Sequence, residues 1–205
     1  MTSREERGSD MQEKLTLEEQ TILLRLAREA LERGVRCEEL PPLDLDALPL
    51  SLRQNGSSFI TLTSRGELRG CIGSLEAFRP LAEDVRLHAI AAALQDPRFP
   101  PVKEEELGGI QIEVSRLSHP LPLEYADAKD LLAKLRPFVD GVILRDDEYR
   151  RATFLPQVWE KIPDPSEFLC NLCYKIGMEP DVWRRKHFEV FTYQVEEFHE
   201  GPLHE

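Results

Sequence analysis

Apolar residues recur at helical spacing early in the chain, where Ile22, Leu23, Leu26, Ala27, Ala30 and Leu31 line one face of a helix. Thr16, with Glu19 three residues on, forms a capping box at its start, and Gly34 ends it. Ahead of it, Met1 to Lys14 is charged, without periodicity, and is expected to fray. From Val35 to Ser58 the periodicity stops. Pro41, Pro42 and Pro49 interrupt the segment, and five leucines from Leu43 to Leu52 pin an irregular connection onto the body. Its length leaves two readings, a plain crossover or a cover over a cleft.

Alternation with period two then takes over. Phe59 to Thr63 reads as a strand, Ser64-Arg65-Gly66-Glu67 as a turn, and Leu68 to Gly73 as the returning arm of a hairpin. Pro80 suits a first helical position, Glu83 and Asp84 favour the helix dipole, and the helix runs to about Leu94, its alanines permitting close approach to a sheet. Asp96 to Pro101 is a rigid turn. Gly108 and Gly109 lead into a strand from Ile110 to Leu117, where Ile110, Ile112 and Val114 alternate with Gln111, Glu113 and Ser115. Glu113 and Ser115 are solvent-facing by default and cleft-lining otherwise. Asp127 caps a short helix to Leu135, and Gly141–Arg145 with Arg151–Phe154 form a second hairpin, continuing the sheet. A turn from Pro156 to Trp159 follows. Asp164 and Glu167 open a helix that Gly177 closes, and Phe188 to Val195 reads as a last strand. The fold class is α+β, a largely antiparallel sheet flanked by helices.

Within this pattern Leu68-Arg69-Gly70-Cys71-Ile72-Gly73 stands out, because glycine weakens a strand interior unless a backbone or ligand must come close. Strict alternation puts Arg69, Cys71 and Gly73 on one face and Leu68, Gly70 and Ile72 on the other. A guanidinium beside a thiol favours the nucleophilic thiolate, and absent side chains leave the sulfur accessible. The competing reading is a packed cysteine on a sheet with a glycine bulge. His88 falls beside the stripe of Leu81, Val85 and Ala92, either as a core-edge histidine or as a base for Cys71. Asp96 and Arg98 either pair with each other or face a ligand. Cys170 and Cys173 have the C-x-x-C spacing of redox and zinc motifs. They sit in the second turn of a helix, with no second pair or nearby histidine to complete a metal site, and read first as packed thiols.

At 205 residues the chain supports one substantial core, or one with a satellite. With 26 Lys and Arg against 38 Asp and Glu, the formal charge of −12 disfavours nucleic acid. Arg150, Arg151, Arg184, Arg185 and Lys186 read as a solvated basic face. No apolar run is long enough for a membrane span, and the first residues lack the core of a signal peptide, so a cytoplasmic location with reduced thiols is expected. No Gly-rich phosphate loop or serine elbow is present. No cofactor is read from the residues.

The Leu68–Gly73 string resembles the hallmark of the family named for the AMME syndrome critical region, called AmmeMemoRadiSam system protein A in prokaryotes. Three further segments resemble it in order: Asp96 to Pro101, Ile112-Glu113-Val114-Ser115, and Thr153-Phe154-Leu155-Pro156-Gln157-Val158-Trp159. The resemblance covers about Leu15 to Glu197. It implies one domain over residues 15–200 built as two unequal subdomains with a cleft, and partners related to a Memo-like, dioxygenase-related protein and a radical-SAM protein. It supplies no reaction. Many family members have histidine and glycine where this chain has Asp140 and Gly141, which weakens any mechanism needing that histidine. Two functions follow as expectations. One is a thiol-centred catalytic or carrier site of Cys71 and Arg69, with Gly70, Gly73, Asp96, Arg98, Glu113, Ser115, Thr153 and Gln157 binding a small molecule. The other is a non-catalytic adaptor whose open strand pairs with a partner segment.

Overall fold

The computed structural model describes residues 14–147 and 149–201, so the stretch read as fraying lies, up to residue 13, outside the described residues. The chain divides into a larger compact unit that runs to Ser118 and resumes at Glu196, and a second from His119 to Val195.

In the first unit, α1 (Leu17–Val35) begins at the expected capping box, with Thr16 and Glu19 satisfying each other's backbone N–H groups. The connection after it contains a short α2 (Leu50–Arg53) and ends earlier than its prolines imply, because β1 spans Asn55–Ser64. Arg65 and Gly66 both have positive φ, 53° and 80°, the geometry of a two-residue hairpin turn, and return the chain as β2 (Glu67–Gly73). A two-residue β3 (Arg79–Pro80) pairs with the start of β1 and leads into α3 (Leu81–Leu94), with Pro80 just outside the helix. The sheet order is β2-β1-β4-β9, with β4 at Ile110–Leu117 and β9 at Val195–His199. Ile60 and Leu62 of β1 and Ile112 and Val114 of β4 are wholly buried in one core with Leu23, Ala27 and Leu31 of α1 and Val85 and Ala89 of α3.

The second unit corrects the expectation of one continuous sheet. β5 (Leu121–Pro122), β8 (Glu189–Tyr193), β6 (Gly141–Arg145) and β7 (Arg151–Phe154) form a separate sheet in that order, and the segment read as one last strand breaks at Gln194 into β8 and β9, which join different sheets. α4 (Ala128–Lys134) starts at Asp127 as expected, and α5 (Pro165–Lys175) at Asp164, whose carboxylate accepts the Glu167 N–H. The core packs Trp159, Phe168, Leu172, Trp183 and Phe188 against the sheet.

Candidate functional site

The register between β1 and β2 places Thr61 opposite Cys71 and Leu62 opposite Gly70, but Thr63 opposite Leu68. Arg69 is therefore the extra residue of a β-bulge, and the alternation changes phase there. Leu68, not Arg69, shares the face of Cys71. The Arg69 guanidinium instead binds Glu106 through two nitrogens, Nε to Oε1 at 2.7 Å and Nη2 to Oε2 at 3.1 Å, and donates through Nη1 to the Pro100 carbonyl at 3.0 Å. That pairing holds the Glu106 carboxyl below the usual carboxylate range, with burial opposing it. An open polar hollow of about 800 Å³ lies here, lined by Ser64, Arg65, Leu68, Arg69, Glu105 and Glu106, among others.

The cation beside Cys71 is Arg98. Asp96, 4% exposed, accepts the Cys71 N–H at 2.8 Å and binds Arg98 through Nη2 at 2.6 Å and Nε at 2.9 Å, while Arg98 Nη2 also donates to the Cys71 carbonyl at 3.3 Å. Asp96 and Arg98 pair with each other and grip Cys71 by both backbone groups. The Arg98 guanidinium holds the Asp96 carboxyl far below the usual range against the penalty of burial. Arg98 is in turn raised, chiefly by Asp96, with a contribution from Cys71. Because β2 is an edge strand, these bonds also occupy the outward backbone at Cys71, where the adaptor reading expects an open strand.

The partly buried Cys71 sulfur accepts the Thr61 hydroxyl at 3.5 Å. Thr61 also faces Glu113 on β4, so Cys71, Thr61 and Glu113 form a row across three strands, the outer two roughly 10 Å apart. Glu113 is half-buried on that face. Burial, then the neighbouring Glu197, raises its carboxyl, and His199 opposes the shift. Ser115, opposite Phe59, is buried at 4% exposure, unlike the default.

The two glycines do not leave space over the sulfur. A Cβ on Gly70 would lie 2.1 Å from the Ala92 carbonyl oxygen of α3, and one on Gly73 would lie 2.4 Å from the Phe59 ring and from the Ser58 carbonyl oxygen. Gly70 admits the helix and Gly73 admits an aromatic ring. His88 is a core-edge histidine, with Nδ1 3.0 Å from a carboxylate oxygen of buried Asp84, which also accepts the Ser58 N–H and hydroxyl.

Thr153 and Gln157 belong to the second unit. The Thr153 hydroxyl donates to the Val142 carbonyl at 2.9 Å and lies 3.0 Å from the Tyr193 hydroxyl, and Gln157 sits in the turn Pro156–Glu160. Asp140 clamps Arg136 at 2.6 Å and 3.0 Å. Tyr193 fills the space beside Gly141, where a Cβ would come within 2.3 Å of the ring, and burial pushes its hydroxyl up to about 12. The basic cluster is largely neutralised: Arg150 and Lys186 meet Asp146, Arg184 meets Asp181, and Arg185 meets Glu179. Among the described residues no set of three or more His, Cys, Asp or Glu side chains is arranged to hold a metal ion, and no helix is long and apolar enough to cross a membrane.

Alphabetic pattern alone did not reveal Thr61 or Glu106 as partners of the motif. The only signal was the hairpin itself, which pairs the arms but does not announce the bulge. Arg98→Gln is expected to slow alkylation of Cys71 several-fold, by removing positive charge from beside the attacking sulfur and freeing the Asp96 carboxylate. Arg69→Gln is expected to leave it unchanged. Peptide-resolved labelling rates test both, since Cys37 is exposed and reacts as well.

The AMMECR1 family model matches residues 24–198. A protein of Methanothermobacter thermautotrophicus is 42% identical over 194 residues, covering 91% of this chain and 96% of that protein. One from Thermofilum pendens is 39% identical, covering 90% and 91%. A crystal structure of an uncharacterized protein from Pyrococcus horikoshii superposes with a TM-score of 0.78 at 34% identity, covering 91% of this chain and 93% of that one.

Proposed function

The chain belongs to the AMMECR1 family, and from that premise we propose that it is a thiol-centred catalytic or carrier protein whose Cys71 acts on a small electrophilic molecule. The observation that carries the reading is the treatment of this one residue: its sulfur accepts the Thr61 hydroxyl, while Asp96 and Arg98 fix its backbone and bring a guanidinium alongside. A held sulfur with a hydroxyl donor and a nearby cation has the components of an activated nucleophile. Glu113, its carboxyl raised by burial, lies on the same face two strands away. Arg69 has no part in the thiol chemistry and serves the bulge. The resemblance adds a cytoplasmic setting and Memo-like and radical-SAM proteins as suppliers or consumers of the molecule.

The adaptor reading draws less support, because strand pairing at Cys71 would first have to displace two side chains from its backbone. Cys71→Ser separates the two. It keeps a polar group of similar size, so the protein is expected to fold with little change in thermal midpoint, to hold its partners within a few-fold, and to fail to complement a deletion strain. Full complementation by the folded variant would end the thiol-centred reading.

A further inference from the structure

The second unit holds a different thiol pair that owes nothing to the Cys71 reading. Cys170 and Cys173 lie one turn apart on α5, Cys170 partly exposed and Cys173 wholly buried. The Trp183 indole Nε1–H donates to Cys170 Sγ at 3.4 Å. Cys170 Sγ–H in turn donates to Asp181 Oδ1 at 3.7 Å, a carboxylate that also lies 3.6 Å from Arg184 Nε. Packing alone requires neither a carboxylate nor an indole N–H at the partly exposed sulfur.

We propose that Cys170 and Cys173 are a reversible dithiol–disulfide pair that exchanges with disulfide substrates, Cys170 attacking and Cys173 resolving. The Cys170 proton is lost to solvent, and the Trp183 indole N–H stabilises the resulting thiolate. The thiolate attacks one sulfur of a disulfide R–S–S–R, forming Cys170–S–S–R and releasing R–S⁻, which takes up a proton. The Cys173 sulfur then attacks Cys170 Sγ and gives up its proton, the second R–S⁻ leaves and is protonated, and the internal disulfide closes. Two protein thiols lose two electrons and two protons, and the substrate disulfide gains both. Burial raises the Cys173 thiol, whereas Cys170 is the partly exposed member of the pair.

Helix geometry sets the character of the bond. Residues three apart have Cα atoms roughly 5 Å apart, inside the range disulfides span, but Cβ atoms about 5–6 Å apart where a bridge needs about 3.8 Å. Closure therefore tightens a helical turn and leaves the bond strained. Strained disulfides are readily reduced, so this pair is an exchanging couple and not a structural staple.

The test uses the full chain with Cys37→Ser and Cys71→Ser, treated with excess oxidised glutathione and analysed by peptide mapping. The expected product is a Cys170–Cys173 disulfide that dithiothreitol reverses. Adding Cys173→Ser is expected to stop the reaction at a glutathione adduct on Cys170. Should that buried substitution unfold the protein, Asp181→Asn, at an exposed position, gives an independent measure: removing the negative charge that opposes the Cys170 thiolate should quicken adduct formation several-fold near neutral pH. An adduct that persists on Cys170 with Cys173 present, thiols that stay reduced in the folded protein, or a rate indifferent to Asp181→Asn would each overturn the assignment.

Discussion

Gly70→Val is expected to leave the first unit unable to hold its native fold. A Cβ at this position would sit 2.1 Å from the Ala92 carbonyl oxygen and 3.1 Å from its carbon. Those atoms are backbone in the last turns of α3, and α3 is packed against both α1 and β1 in one buried core. A flexible side chain would turn aside; a helix backbone must be displaced as a whole. Overpacking by added methylenes costs about 1–3 kcal/mol and occasionally more, and a clash with backbone from the first added carbon belongs at or beyond the upper end. Gly108→Ala is the control, because nothing lies within 4 Å of its Cβ and its φ is not positive. It should shift stability by no more than about 0.5 kcal/mol. Urea unfolding of the two variants measures the difference, and equal midpoints for Gly70→Val and Gly108→Ala would refute the account. Gly73→Val is likewise expected to destabilise the fold by pressing on Phe59 and Ser58, so it is not a means of shielding the sulfur.

Trp159→Ala is expected to unfold the second unit. The indole is wholly buried, stacks on Phe168 with centroids 3.6 Å apart and planes 7° from parallel, and donates to the Asp140 carbonyl at 2.7 Å. Truncating a buried aromatic costs about 3–5 kcal/mol, and the orphaned carbonyl adds about 1–3 kcal/mol. Together they rival the whole stability of a small domain, about 5–15 kcal/mol. Trp159→Phe keeps a ring over Phe168 and loses the donor, so it should cost much less. Denaturant melts followed by circular dichroism rank the three proteins. Alanine and phenylalanine variants of equal stability would show that the stack contributes nothing.

Much of this fold is legible along the chain because its signals are local. Thr16 and Glu19 satisfy each other across three residues, and the Arg65-Gly66 turn works through its own positive φ angles. Asp127 and Asp164 cap the helices they precede, since a short carboxylate reaches only its neighbouring N–H groups. The α+β class follows from the two periodicities. The site was only half legible. Cys71, Asp96 and Arg98 stand out by type, and the structure brings all three together, but Arg69 goes to Glu106 and His88 goes to Asp84, partners 37 and 4 residues away. Residue type says that a cation wants an anion and is silent about which one.

The sequence by itself determined where the main helices and hairpins lie, which apolar stripes those helices bury, and that a thiol sits among glycines in a strand. Tertiary structure alone decided that there are two sheets, because β8 and β9 diverge at Gln194 with no turn signal to mark the change. It alone decided what the glycines admit, since a missing side chain does not say which atom takes its place. It also decided which cation meets the thiol. Side-chain direction in a strand has period two, so one extra residue reverses every assignment beyond it. With Arg69 looped out as a bulge and held by Glu106 and Pro100, Leu68 takes the face that alternation allots to Arg69, and Arg98 arrives from the following loop in its stead.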